Sequence, residues 1–214
     1  MRLLTSAWAL ALIYALSGLA SLAYEVLWVR VLVLQFGVSI FGVVAGTSAF
    51  MGGLGAGSLW GVRISRRVAS PLRLFALIEI GLAFYALASP LLLQGMDGLL
   101  TGMAPSTGLA SWYALQSGFT LLLIFIPALG MGVGFALALQ AARGVQLSLA
   151  SLYGLNTCGA ALGALLPLWL LPQLGWSVSL RVVAVIGLLA GLAAWVWAKR
   201  HGTPDKTAPL VSGR

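Results

Sequence analysis

Glu25 and Glu79, two carboxylates set within long apolar runs, are the residues of this 214-residue chain with the most chemistry open to them. A charged side chain at mid-bilayer costs roughly 2.5–3.5 kcal/mol on insertion scales, so an ionisable group kept there has a partner or a task. A carboxylate in that setting can hold a cation, carry a proton or pair with a base. Arg30 follows Glu25 by five residues, about 140° round a continuous helix, which is a poor position for pairing. Asn156 is an amide in apolar sequence and needs a hydrogen-bond partner on another helix or on a ligand. Tyr24 and Tyr153 add phenols to the same candidate polar core. Cys158, the only cysteine, reads as a buried structural thiol, and His201, the only histidine, as a solvated residue. With no metal-ligand cluster, nucleophile elbow or phosphate-binding loop, the expectation is no catalytic residue, no metal and no cofactor.

The elements that must position these groups are membrane spans. Hydrophobic residues make up 61% of the chain and charged ones 7%, which excludes an ordinary soluble domain. Apolar runs fall at about 7–34, 38–62, 72–94, 112–142, 149–172 and 178–198, each long enough to cross about 30 Å as helix. The sequence therefore predicts an all-α integral membrane protein of six transmembrane helices over 1–200, with a disordered cytoplasmic tail over 201–214. A cytoplasmic N-terminus places ten of the twelve Lys and Arg on the inner side and leaves Arg30 and Arg181 outside. The positive-inside rule then puts both termini in the cytoplasm of a multi-pass inner-membrane protein. Topology accounts for the net charge of +8, so the partner expected is the lipid bilayer and not nucleic acid.

Within the spans, small and polar residues form stripes. Tyr14, Gly18, Ser21 and Glu25 share about a 60° sector of the first helix, which must face protein or water. Gly42, Gly46, Gly53 and Gly57 mark a packing face on the second, and Gly159 and Gly163 lie with Asn156 and Pro167 on one face of the fifth. Gly61 and the arginines after it predict a tight turn. Glu79 shares a face with Ala83, Ala86 and Pro90, and the bland expectation for it is a pair with Arg63 or Arg67. Pro127 predicts a kink in the fourth helix. The stretch from about Gly95 to Ser111 reads as an irregular loop. The last helix has no polar residue between Arg181 and Lys199 and reads as lipid-facing.

The segments SGLASLAYEVLWVRVLVLQFG, FMGGLGAGSLWG, IPALGMGVG and SLYGLNTCGAALGALLP, with Glu79 between them, resemble the membrane portion of the spermidine synthase-like membrane proteins, over about residues 14–175. Six such helices are also similar to one half of a major-facilitator-type bundle. The loop GVRISRRVASPLR is similar to the basic loop after the second helix of those carriers, with Gly61 near the place of its acid. The family resemblance implies a link to polyamine chemistry and a soluble aminopropyltransferase-like domain. The nucleoside-binding strand, glycine-rich loop and helix of that domain have no counterpart here, so an enzyme is not expected. Two functions stay open. One is a module that moves or binds a small cationic substrate such as a polyamine, with glycine tracks suited to a homodimer. The other is a non-transporting anchor or accessory subunit for a separately encoded soluble enzyme or membrane complex.

Overall fold

A computed structural model describes residues 2–35, 40–103, 109–143 and 148–200, and all but a few of these are helical. The elements are α1 (Arg2–Gln35), α2 (Ile40–Arg67), α3 (Pro71–Met103), α4 (Leu109–Arg143) and α5 (Leu149–Arg200). Pro71 opens α3 at the position where a missing N–H is harmless, and Leu74 N bonds back to Ser70 O at 3.2 Å. Ser148 caps α5, its Oγ accepting from Ser151 N at 3.0 Å. Among the described residues, four segments are long and apolar enough to cross a membrane: Ala7–Leu32, Pro71–Gly95, Ser117–Arg143 and Leu149–Arg200. The glycines and arginines of α2 dilute its apolar character, and it falls outside that set.

The longest helix is broken at Gly175, whose φ of 69° and ψ of 175° are open to glycine and costly for other residues. Its first half, 149–174, runs parallel to α1, with Gly159 against Ala15 and Gly163 against Leu19. Its second half, 176–200, runs the other way. Trp176 Nε1 donates to Leu27 O at 2.9 Å, Tyr24 Oη to Val183 O at 3.3 Å, and Gly187 lies beside Ala20. The chain thus reverses at Gly175. α2 is likewise parallel to α4, with Gly53, Gly57 and Gly61 stepping along Phe125, Leu129 and Val133. The main pairings are α1 with α5, α2 with α4, and α3 with both α5 and α4, while α1 meets α2 and α4 only lightly.

Two apolar clusters fill the bundle. One gathers Leu10, Tyr14, Phe75, Leu137, Leu152 and Ala198 at the end that carries the exposed Arg63, Arg66, Arg67, Arg73, Arg143, Lys199 and Arg200. The other gathers Trp28, Leu32, Phe50, Leu93, Ile124 and Leu180 at the opposite end, where Arg30 and Arg181 are exposed. The charge asymmetry of the sequence is therefore an asymmetry of the fold.

Several local expectations are corrected. Gly61 is not in a turn; it lies inside α2, where a methyl would meet Val133 Cα at 2.8 Å, so close helix contact is its reason for being glycine. The helices flanking 104–108 extend to Met103 and start at Leu109, because nothing in 95–103 forces the backbone out of the helix once Pro90 is passed. The last helical segment is not simply lipid-facing. Leu180, Val183, Ala184, Gly187, Ala190, Gly191 and Ala194 form a buried face. Gly187 and Gly191 on that face meet α1 and α3, so small residues do the packing that polar ones do elsewhere. Cys158 is exposed, since it points away from the side of α5 that holds Gly159 and Gly163 against α1. The expected tail over 201–214 and the surroundings of Gly42 lie outside the described residues.

Candidate functional site

At the waist between the apolar clusters, Ser17 Oγ of α1 donates a 2.7 Å hydrogen bond to Glu79 Oε1 of α3. Both side chains are buried, with Glu79 only 4% exposed. Glycines leave room for the carboxyl: a methyl at Gly191 would lie 3.1 Å from Glu79 Cβ, and one at Gly134 would lie 3.9 Å from its Oε1. Arg63 and Arg67 are exposed at the basic end, and among the described residues Glu79 makes no ion pair with either. The expected pairing is replaced by a hydroxyl, which satisfies one carboxyl oxygen without neutralising the charge.

Ser17 also faces the other way, into a cavity of about 300 Å³. The α1 wall is Tyr14, Ser17, Gly18, Ser21 and Leu22. Phe50, Leu54 and Ser58 of α2 and Met131 and Phe135 of α4 face it, and Tyr153, Asn156, Thr157 and Ala160 of α5 complete it. Phe135 stacks on Tyr14 at 6.3 Å and meets Tyr153 edge-on at 6.5 Å, so three rings form one continuous aromatic wall. No charged residue is in the lining. The close approach that shapes the cavity is made by Gly18, where a methyl would lie 2.6 Å from Asn156 O. The Asn156 amide has no hydrogen-bond partner among the described residues and is half-buried on the wall.

Glu25 lies eight residues beyond Ser17, about 12 Å along α1, and within about 20° of Gly18 round the helix. It therefore continues the cavity face past Ser21 and Leu22. It is 8% exposed, and its Oε2 is buried with no hydrogen-bond partner. α1 is unbroken through Ala23, so Arg30 leaves on another side. There it is exposed in a groove of about 500 Å³ with Pro167, Leu168, Leu171, Pro172 and Trp176. Tyr24 also departs from the cavity. It stacks on Trp28 at 5.2 Å and holds the second half of α5 through Val183 O.

Of the residues singled out in the sequence, Tyr153 and Asn156 thus share the cavity wall, Glu79 backs it through Ser17, and Glu25 extends its face. Tyr24 and Arg30 do other work. Gly53, Gly57, Gly159 and Gly163 each seat their helix on a neighbouring backbone, and a methyl at Gly46 would lie 3.3 Å from Val29 and 3.5 Å from Ile124. Sequence reasoning missed Ser17, Phe50 and Phe135. A membrane serine that serves its own helix and one that serves a residue 62 positions away look alike in sequence. The chain matches no family model, no curated protein and no solved structure.

Proposed function

We propose that this chain is a membrane module that binds, and moves across the bilayer, a small organic cation. The observation that carries the reading is the cavity of about 300 Å³ with aromatic and hydroxyl walls, no basic lining residue and a buried carboxyl bonded to its Ser17 wall. Such a cavity is at the lower end of the roughly 300–1,000 Å³ range of small-molecule sites. Tyr14, Phe135 and Tyr153 offer ring faces to an ammonium group, the Ser21 hydroxyl and the Asn156 carbonyl can accept from it, and Glu79 supplies the opposing charge. The polyamine class follows from the resemblance of the membrane segments to spermidine synthase-like proteins.

In this reading the two halves of α5 and the glycine-rich α2 each cross the bilayer, giving six spans, and the basic end faces the cytoplasm with both termini. The arrangement then corresponds to one half of a major-facilitator-type bundle, with the cavity in the cytoplasmic half and Glu25 beyond its closed end. The test is uptake of radiolabelled spermidine into proteoliposomes by the wild type, Glu79→Gln and Phe135→Ala. Saturable uptake reduced at least tenfold in both variants is the expected result. No uptake above empty vesicles across several polyamines, with an imposed proton gradient, would refute the carrier and favour the anchoring role.

A further inference from the structure

We propose that the groove around Arg30 is a binding site for one anionic phospholipid, with the lipid phosphate on the guanidinium and an acyl chain along the first half of α5. This groove lies on another side of α1 from the cavity, and the inference stands whether or not the cavity takes a cation.

The depth of Arg30 follows from how α1 and α5 are joined. Gly159 against Ala15 and Gly163 against Leu19 set α1 and the first half of α5 in one parallel register. The same offset carried along both helices brings Arg30 level with Leu174, beside the reversal at Gly175. The Trp176 indole bond to Leu27 O, one turn before Arg30, fixes that level independently. Gln173, Gly175 and Ser177 are exposed around the reversal, so small and polar residues mark where the bundle meets the headgroups, and Trp176 is placed as interfacial indoles are. From Arg30 the groove of about 500 Å³ runs inward along α5. Pro167 is buried at its floor, Leu171 and Trp176 are half-buried, and Leu168 and Pro172 are exposed at its rim. Pro167 and Pro172 are separated by roughly 8 Å of helix, enough for the upper part of one acyl chain.

Two properties choose the occupant. The surface onto which the groove opens is large and apolar, with Leu162, Leu165, Leu168 and Trp169 all exposed, as residues facing acyl chains are. Within that surface the Arg30 guanidinium makes no hydrogen bond or ion pair among the described residues. A group with five N–H donors at the edge of hydrocarbon needs acceptors. The acceptor that a bilayer supplies at this depth is the lipid phosphate, whose oxygens match the guanidinium fork two at a time. A free phosphate would meet the charge and leave the apolar groove beneath it unfilled; a phospholipid meets both. A choline headgroup would bring its own cation beside Arg30, which favours an anionic headgroup. The groove of about 620 Å³ between α3 and α4, walled by Leu91, Leu92, Leu122 and Ile126, has no charged residue in its lining and so no means of choosing among lipids.

The test is native mass spectrometry of the full chain in detergent, with dioleoylphosphatidylglycerol and dioleoylphosphatidylcholine added in turn. The wild type should hold one phosphatidylglycerol with an affinity roughly tenfold or more above that for phosphatidylcholine. Arg30→Gln should lose this preference, while Arg181→Gln, which removes the second exposed cation described at this end, should keep it. Leu168→Trp fills the groove from an exposed rim position and leaves the charge in place, so it should also lose the bound lipid, with an unchanged far-ultraviolet circular dichroism spectrum. Millimolar inorganic phosphate should not displace the lipid. Equal affinity of the wild type for the two lipids overturns the proposal, as does equal occupancy in the wild type and either Arg30→Gln or Leu168→Trp. Displacement by inorganic phosphate would make this a site for a free anion, and an equal loss in Arg181→Gln would make the attraction a property of the whole charged end; either result also overturns it.

Discussion

Gly53 gives a sharp test of how the helices are held. A methyl at this position would lie 2.6 Å from Phe125 O and 2.8 Å from Ala128 Cβ, where ordinary contact begins at 3.4 Å. The shortfall is about 0.6–0.8 Å, and neither neighbour is the end of a flexible side chain. The strain must be met by moving α2 away from α4 along their shared seam, and overpacking of this kind costs about 1–3 kcal/mol. Gly53→Ala should therefore lower the equilibrium constant for folding by about 5- to 150-fold, at about 1.4 kcal/mol per factor of ten. The control is Gly81→Ala in α3, where nothing lies within 4 Å. Helix propensity there favours alanine by up to about 1 kcal/mol, so the control should be neutral or slightly stabilised. The assay is unfolding of the detergent-solubilised protein by sodium dodecyl sulfate, followed by far-ultraviolet circular dichroism. Equal stabilities for the two variants would refute the account of α2 and α4 as backbones in direct contact.

Three further outcomes are expected in the same assay. Ser17→Ala removes the 2.7 Å bond to Glu79 Oε1 and leaves that oxygen unsatisfied, so stability should fall by about 1–3 kcal/mol; an unchanged midpoint would show that the bond is not formed. Glu25→Met replaces a buried carboxyl whose Oε2 has no partner, and should raise stability by about 1–3 kcal/mol while reducing uptake. A loss of stability in that variant would mean that Glu25 has a structural partner. Trp176→Phe deletes the 2.9 Å bond to Leu27 O and should cost about 0.5–1.5 kcal/mol, with faster hydrogen exchange confined to the turn around Gly175; exchange unchanged there would show that the indole does not pin the turn.

Much of the fold was legible because membrane helices advertise themselves by length and apolarity, and because close approaches demand small residues. The glycines of α2 and the Gly159 and Gly163 pair could be read as packing faces from spacing alone. What spacing does not encode is which neighbour a face meets. Gly187 and Gly191 carry the same signal as Gly159 and Gly163, yet a helix without polar residues invites a lipid-facing reading. Their partners, Tyr24 and Glu79, are more than a hundred residues away in sequence. The carboxylates were conspicuous because burial of charge is rare. Ser17 was not, since its bond to Glu79 depends on α1 and α3 being in register, and Cys158 was misread because a lone thiol has no periodicity of its own.

The helix pairings carry one more consequence. Exchanging α1, α2 and α3 with α4 and the two halves of α5 maps the pairing of α1 with 149–174 onto that of α4 with α2. The contact of α1 with 176–200 maps onto that of α4 with α3. Since α1 and α4 run in opposite directions, the two three-helix units are related as inverted repeats are. Each parallel pair is locked by glycines seated on the partner's backbone, whereas α1 touches α2 and α4 only lightly. The cavity lies where the two locked pairs face each other. The buried carboxyls, Glu25 and Glu79, both belong to one unit, and α4 presents Phe135 and Met131 to the cavity. If the pairs rock as rigid bodies, the light seam is the part that opens. Val29, one helical turn beyond Glu25, packs beside Gly46 across that seam, so opening there would bring water first to the carboxyl oxygen that now has no partner.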